Sequence, residues 1–366
     1  MTCDARAYIA NLQPYQPGLP IAAVARAHGL DPASIVKLAS NENPLGMSPK
    51  ARTALEGVIN ELHRYPEQHD LTQAIAAHTG VQPQQVVLGN GSNDVLDLIA
   101  RTYLGEHTEA VSSQYAFAIY HIATQSTGAR SVVVPASSYA HNLDALQQAI
   151  TPQTKVVWIA NPNNPTGTFE PYAAVKKCIA AVPPHVVVVL DEAYYEYLPA
   201  AARANTAAWI AEHPNLIVVR TFSKVYGLAG LRVGYGLASA EAAELLNRVR
   251  QPFNVNSAAI AAAAAALGDD DFIAQTVAVT DAGRQQLRRG IESLGMECLP
   301  AHGNFITFRL GGSDQAAAVN NYLLQQGVII RPLAAYGMPE FLRVTIGLHT
   351  ENERFLSALA SWQAAQ

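Results

Sequence analysis

Cysteine is scarce in this chain of 366 residues, which has only Cys3, Cys178 and Cys298. Three widely spaced thiols support neither a disulfide framework nor a metal-ligand spacing. The eleven histidines are scattered: His63, His69 and His78 fall in a polar, helix-like tract, and His302 and His349 near strand ends. No metal is expected. Charged residues make up 14% of the chain, with a net charge of −5 and no basic run. That excludes the clustered basic face of a nucleic-acid binder. Long apolar runs are missing too. The longest, Ala258 to Leu267, is too short to cross a bilayer and reads as a tightly packed helix. Neither a GxGxxG spacing nor the GKS/GKT ending of a P-loop occurs, which argues against a dinucleotide fold or a P-loop nucleotidase. The first residues carry Asp4 and Arg6 without an apolar stretch, so no signal peptide is expected and a cytoplasmic location is the default expectation.

Apolar residues account for 49% of the chain, enough for a well-packed globule. The runs Lys155–Ile159, 186–190 and 216–219 read as interior parallel strands, and helical patterns such as Ala173–Ala181 and Thr206–Ala211 separate them. This alternation predicts an α/β fold, with a large domain whose mostly parallel sheet is flanked by helices. Beyond Pro252 the character changes. A helical tract over 257–294 places Arg284, Arg288 and Arg289 on a solvated face. Short strands follow at Asn304–Arg309, Val328–Arg331 and Phe341–Ile346, as in a smaller α+β domain. The expected organisation is an N-terminal arm (1–40) lying against the small domain, a large domain (41–255) and a small domain (256–366).

Four segments carry chemistry. Thr221-Phe222-Ser223-Lys224 precedes Gly227-Leu228-Ala229-Gly230-Leu231-Arg232. A lysine amine can form an imine with an aldehyde cofactor, and neighbouring hydroxyls and a guanidinium can hold its phosphate. A helix N-terminus on a surface loop is the plainer alternative. Asp191 ends the apolar strand Val186–Leu190, at the edge that faces the ligand crevice in open α/β sheets. A carboxylate buried there needs a partner. A protonated pyridine nitrogen suits, and so does a helix N-terminus capped by the aspartate. Asn161-Pro162-Asn163-Asn164-Pro165-Thr166-Gly167 is a tight turn after another strand, and it aims the Asn164 amide as a donor. Gly89-Asn90-Gly91-Ser92-Asn93-Asp94 is a glycine turn opening a helix, an anion site by its free N–H groups and dipole.

Together these segments, in this order, resemble the fold type I pyridoxal-phosphate enzymes, specifically the class I and II aminotransferases. Tyr15-Gln16-Pro17-Gly18, Leu38–Pro44, Arg64-Tyr65-Pro66 and Phe341–Gly347 extend the likeness over nearly the whole chain, toward the histidinol-phosphate aminotransferases. Val225 departs from the pattern, which has a small residue after the lysine. The resemblance implies a pyridoxal 5'-phosphate cofactor carried on Lys224. Asp191 would pair with the ring nitrogen, and Asn164 and Tyr194 with the ring oxygen. Tyr115 would stack on the ring, with Phe117 as the rival. Gly91, Ser92, Asn93, Ser223 and Arg232 would hold the phosphate. Tyr65 would reach the phosphate of a neighbouring subunit, making a homodimer with shared sites. Tyr15, Asn43, Arg331 and Arg343 would bind substrate, Arg343 through a carboxylate. The implied reaction moves an amino group between L-histidinol phosphate and 2-oxoglutarate, in histidine biosynthesis. An aromatic amino-acid aminotransferase and a threonine-phosphate decarboxylase share the scaffold and stay open as alternatives.

Overall fold

The computed structural model describes residues 4–365, so Cys3 lies outside the described residues. Its strands, in chain order, are β1 (Val36–Lys37), β2 (Val86–Gly89), β3 (Glu109–Ser113), β4 (Arg130–Val134), β5 (Thr154–Ala160), β6 (Val187–Asp191), β7 (Leu216–Thr221), β8 (Gly234–Leu237), β9 (Glu297–Cys298), β10 (Phe305–Arg309), β11 (Val328–Ile329), β12 (Arg331–Pro332) and β13 (Phe341–Thr345). Seven of them form one sheet in the order β2-β8-β7-β6-β5-β3-β4. Only β8 runs antiparallel to its neighbours.

The central strands are apolar on both faces because each face meets helices. In β6, Val188 and Leu190 enter one core while Val187 and Val189 enter the other; β7 splits its residues in the same way. This is the two-residue alternation of a strand applied to a sheet without a wet face. It also sets where chemistry can go. The strand interiors are filled with packing side chains, so polar groups collect where the parallel strands end.

A second sheet, ordered β12-β13-β10-β9, builds a separate core from Ile306, Phe308, Leu342, Val344, Leu323 and Phe355. The N-terminal segment joins this part. β1 pairs in parallel with β11, and Val24 and Ala25 of helix Ile21–His28 pack with Leu324 and Ile329.

Three expectations are corrected. The single strand expected at Val328–Arg331 is two. β11 pairs with β1, whereas β12 pairs antiparallel with β13 at the sheet edge, the one place where Pro332 costs no ladder bond. Helix Ser257–Leu267, assigned to the small domain, instead buries Ala259, Ile260, Ala262, Ala263, Ala266 and Leu267 in the core of the large sheet. Its alanines allow close approach to helices Pro49–Val58 and His69–Thr79. Arg284 is not on a solvated face either: it pairs with Asp281 and donates Nη2 to the Gly303 carbonyl at 3.0 Å.

Behind β6 lies a fully enclosed ion pair. Glu192 accepts from Arg220 Nε at 3.0 Å and Nη2 at 2.8 Å, from Thr206 Oγ1 at 2.8 Å and from Tyr172 OH at 2.5 Å. The Arg220 guanidinium also covers the Tyr195 ring at 4.0 Å. Removing one partner strands the other charge in a dry interior. Arg220→Ala is therefore expected to cost about 3–5 kcal/mol in urea unfolding. A loss below about 1 kcal/mol would mean that Glu192 is not dependent on this pair.

Candidate active site

A cavity of about 370 Å³ opens at the carboxyl ends of the parallel strands. Residues following β3, β5, β6 and β7 meet there with the two arginines of the second sheet and the 39–42 segment. Asp191, Asn164 and Lys224 come from a strand end or a turn just beyond it, so the rigid sheet fixes the base of these side chains.

Lys224 follows β7 by three residues and points its amine into the cavity. The amine donates to the Ser40 carbonyl at 3.2 Å. Burial lowers its pKa to about 8, helped by the Arg343 and Arg232 guanidiniums and opposed by Glu42 and Asp191. An appreciable share of neutral amine is thus present near pH 7, as an attack on an aldehyde requires.

Asp191 closes β6 and is 5% exposed. One carboxylate oxygen accepts from the Ala193 N–H at 3.1 Å and the other from Tyr120 OH at 2.8 Å. Burial raises the carboxyl to about 6 against those two bonds. The helix N-cap alternative for Asp191 is not realised, since the short helix Tyr195–Tyr197 begins at Tyr194 without a side-chain cap; the carboxylate accepts within the preceding turn and lines the cavity.

The glycine turn has the form of an anion cradle. Gly91 sits at φ +84° ahead of helix Ser92–Tyr103, whose start has no side-chain cap, and Ser92 and Asn93 line the cavity. At φ +84° any side chain at Gly91 would be strained, and its Cβ would have to displace the Arg232 guanidinium. Ser223 and Arg232 complete this corner. A helix N-terminus, a hydroxyl pair and a guanidinium together fit a phosphate.

Across the cavity, Arg331 and Arg343 are register partners on β12 and β13, and both are largely buried. Arg343 donates to the Ala39 carbonyl at 2.9 Å and to Asn164 Oδ1, while its Nε has no partner. With its carbonyl oxygen held by Arg343, the orientation of the Asn164 amide is set, and the residue lines the cavity. Tyr194 OH accepts from Asn41 Nδ2 at 2.9 Å, and burial raises its pKa, so it remains a neutral phenol. Tyr15 forms part of the rim, its ring 5.7 Å from the Arg331 guanidinium.

Two expected contributors lie elsewhere. Tyr115 adopts φ +60°, which turns its ring away; it packs on Tyr139 at 5.5 Å and lines a neighbouring cavity with His121 and Tyr336. Phe117, the rival, lines the main cavity instead. Asn43 braces the lysine loop from behind, donating to the Val225 carbonyl at 2.8 Å and Thr276 Oγ1 at 3.2 Å. Asn41, two residues earlier, faces the cavity in its place. Tyr65 is 81% exposed, stacked on Phe253 at 4.4 Å and outside this cavity. Tyr120 escaped the sequence reading, although it follows Phe117 by one helical turn and so shares its side of the helix.

The family model described as "Aminotransferase class I and II" matches residues 33–359. Histidinol-phosphate aminotransferase 1 of Dechloromonas aromatica is 58% identical over 356 residues, covering 97% of this chain and 98% of that protein. The enzyme of the same name from Thiobacillus denitrificans is 54% identical over 360 residues, covering 98% and 93%. The crystal structure of histidinol-phosphate aminotransferase from Sinorhizobium meliloti, in complex with pyridoxal-5'-phosphate, superposes with a TM-score of 0.91 at 29% identity, covering 100% of this chain and 99% of that one. The chain belongs to the class I and II aminotransferases and, within them, to the histidinol-phosphate aminotransferases.

Proposed function

We propose that the protein binds pyridoxal 5'-phosphate and moves an amino group from L-histidinol phosphate to 2-oxoglutarate, giving imidazole acetol phosphate and glutamate. One observation supports the substrate choice above others: two buried guanidiniums stand side by side on β12 and β13 across from Lys224. Like charges in register repel, and an anion placed between them offsets that repulsion. A dianionic phosphate satisfies both, and a carboxylate satisfies one by a two-pronged contact.

The fit of the cofactor rests on this chain's own groups. The Gly91–Ser92–Asn93 turn with Ser223 and Arg232 suits its phosphate, Asp191 its ring nitrogen, Asn164 and Tyr194 its ring oxygen, Phe117 a ring face, and Lys224 its aldehyde. When bound, the cofactor supplies an aldehyde for amine exchange and a ring that accepts the electron pair released at Cα. Arg343 and Arg331 hold the substrate's anionic end so that Cα lies against the Lys224 amine. The Lys224 amine would serve as the base that takes the Cα proton and as the acid that gives it back. With the cofactor bound, Asp191 would face its ring nitrogen and favour a proton there through the charge it keeps in a dry site. Exposed Tyr65, stacked on Phe253 outside the cavity, supports a homodimer in which it serves the partner's site. We assign the enzyme to the cytoplasm. Among the described residues no helix is long and apolar enough to cross a membrane.

Purified protein loaded with cofactor should be yellow, bleach on adding histidinol phosphate and recover on adding 2-oxoglutarate. Phenylalanine should compete weakly. A spectrum indifferent to histidinol phosphate overturns the reading. Arg331→Ala should raise the KM for histidinol phosphate about tenfold or more, and that for glutamate far less. Equal changes in the two would remove Arg331 from phosphate recognition.

A further inference from the structure

We propose that Tyr120 is a positioning residue for Asp191: a phenol clamped by Trp158 that aims the carboxylate and keeps it ionised for the cofactor's ring. The inference rests on the reading of Asp191 given above and adds the device that makes a buried aspartate usable.

The geometry is specific. Tyr120 lies in the first turn of helix Ala118–Ser126, is 1% exposed and lines the cavity beside Phe117. Its hydroxyl donates to Asp191 Oδ2 at 2.8 Å. The Trp158 indole stacks on its ring, with centroids 5.2 Å apart and planes 2° from parallel. Trp158 Nε1 in turn donates to Thr124 Oγ1 at 3.2 Å, one helical turn beyond Tyr120. Strand β5 therefore grips the helix at two points, and the phenol has little freedom to leave Asp191. With the Ala193 N–H on the other oxygen, each carboxylate oxygen has one fixed donor and the plane of the group is set.

The electrostatics follow. The charged and titratable groups facing Asp191 are Tyr120, Glu192, Lys224 and Tyr194. Burial pushes the Asp191 carboxyl up, and the Tyr120 hydrogen bond is the largest influence that opposes it. The carboxyl stands at about 6, so it is mostly ionised at neutral pH. Without the phenol the same burial acts with less opposition, and the carboxyl takes up its proton at higher pH. Burial raises the phenol itself, so Tyr120 remains a donor throughout.

Tyr120→Phe keeps the ring, its stacking and its volume while deleting the donor. In cofactor-free protein, the infrared carboxyl band that vanishes in Asp191→Asn should titrate at higher pH in Tyr120→Phe than in the wild type. In loaded enzyme, kcat should fall about tenfold with KM changed less than about twofold, as for loss of one hydrogen bond to a charged group. The acid limb of the pH profile should move upward. Near-UV circular dichroism of the two proteins should match, confirming that packing is kept. An Asp191 band that titrates identically in the two proteins overturns the proposal, whatever the activity does. Normal turnover by Asp191→Asn would instead strike the reading of Asp191, and the cofactor-free titration tells the two failures apart.

Discussion

Lys224→Ala is expected to fold normally and to lose about 10⁴-fold in kcat, because one side chain both tethers the cofactor and moves the Cα proton. Stability of the cofactor-free protein at pH 7 should not fall and should rise, because a lysine lowered from 10.5 to about 8 on folding costs stability below about pH 8. The amine makes one hydrogen bond, to the Ser40 carbonyl, and its lowered pKa means that its charged form is held against burial. Steady-state turnover and urea unfolding, measured on the same preparation, check both halves. Activity within about tenfold of the wild type would remove Lys224 from the chemistry. A pH signature accompanies this prediction. Capture of free aldehyde by the cofactor-free protein should accelerate as pH rises and level off above about 8, where Lys224 is neutral. An exposed lysine would keep accelerating to about pH 10.

Asp191→Ala is the second large effect. A charge pair about 4 Å apart at an effective dielectric near 20 is worth about 4 kcal/mol, which corresponds to about 10³-fold in rate. Folding should respond in the opposite sense. The carboxyl rises from 3.8 to about 6 on folding of the cofactor-free chain, so the native state binds the proton more tightly than the unfolded one. For a carboxyl raised in this way, the cost to stability is absent below the unfolded value and fully present above the folded value. It amounts to about 3 kcal/mol. Asp191→Asn, which keeps an acceptor for Tyr120, should therefore stabilise cofactor-free protein at pH 7.5 and leave it nearly unchanged at pH 4. Urea unfolding at those two pH values measures this. Equal effects at both would contradict a raised carboxyl, and near-normal turnover by a folded Asp191→Ala would contradict its role at the ring.

The parallel sheet was legible because its strands carry unbroken β-branched runs, as at Val186–Leu190, and such runs fit only a sheet covered on both faces. The cofactor corner was legible for a related reason: Gly91, Asp191 and Lys224 each follow a strand, and strand ends converge. What failed was what depends on side-chain direction. Tyr115 and Phe117 are chemically alike and two apart; only the φ +60° backbone at Tyr115, invisible in sequence, decides which ring meets the cavity. Asn41 and Asn43 are also two apart, and an extended segment would put both on one side; the φ +56° backbone at Asn41 breaks that alternation and sends the two amides to different partners. Helix Ser257–Leu267 was misplaced because alanine carries no amphipathic stripe, so nothing in its pattern says which core it joins.

The central claim is that the Lys224 amine is the covalent attachment point for pyridoxal 5'-phosphate. Borohydride reduction of the loaded protein, followed by digestion and peptide mass measurement, tests it most directly. The account predicts the cofactor's added mass on the peptide bearing Lys224 and none on the same peptide from Lys224→Ala. An unmodified Lys224 peptide from fully loaded, reduced protein would contradict it.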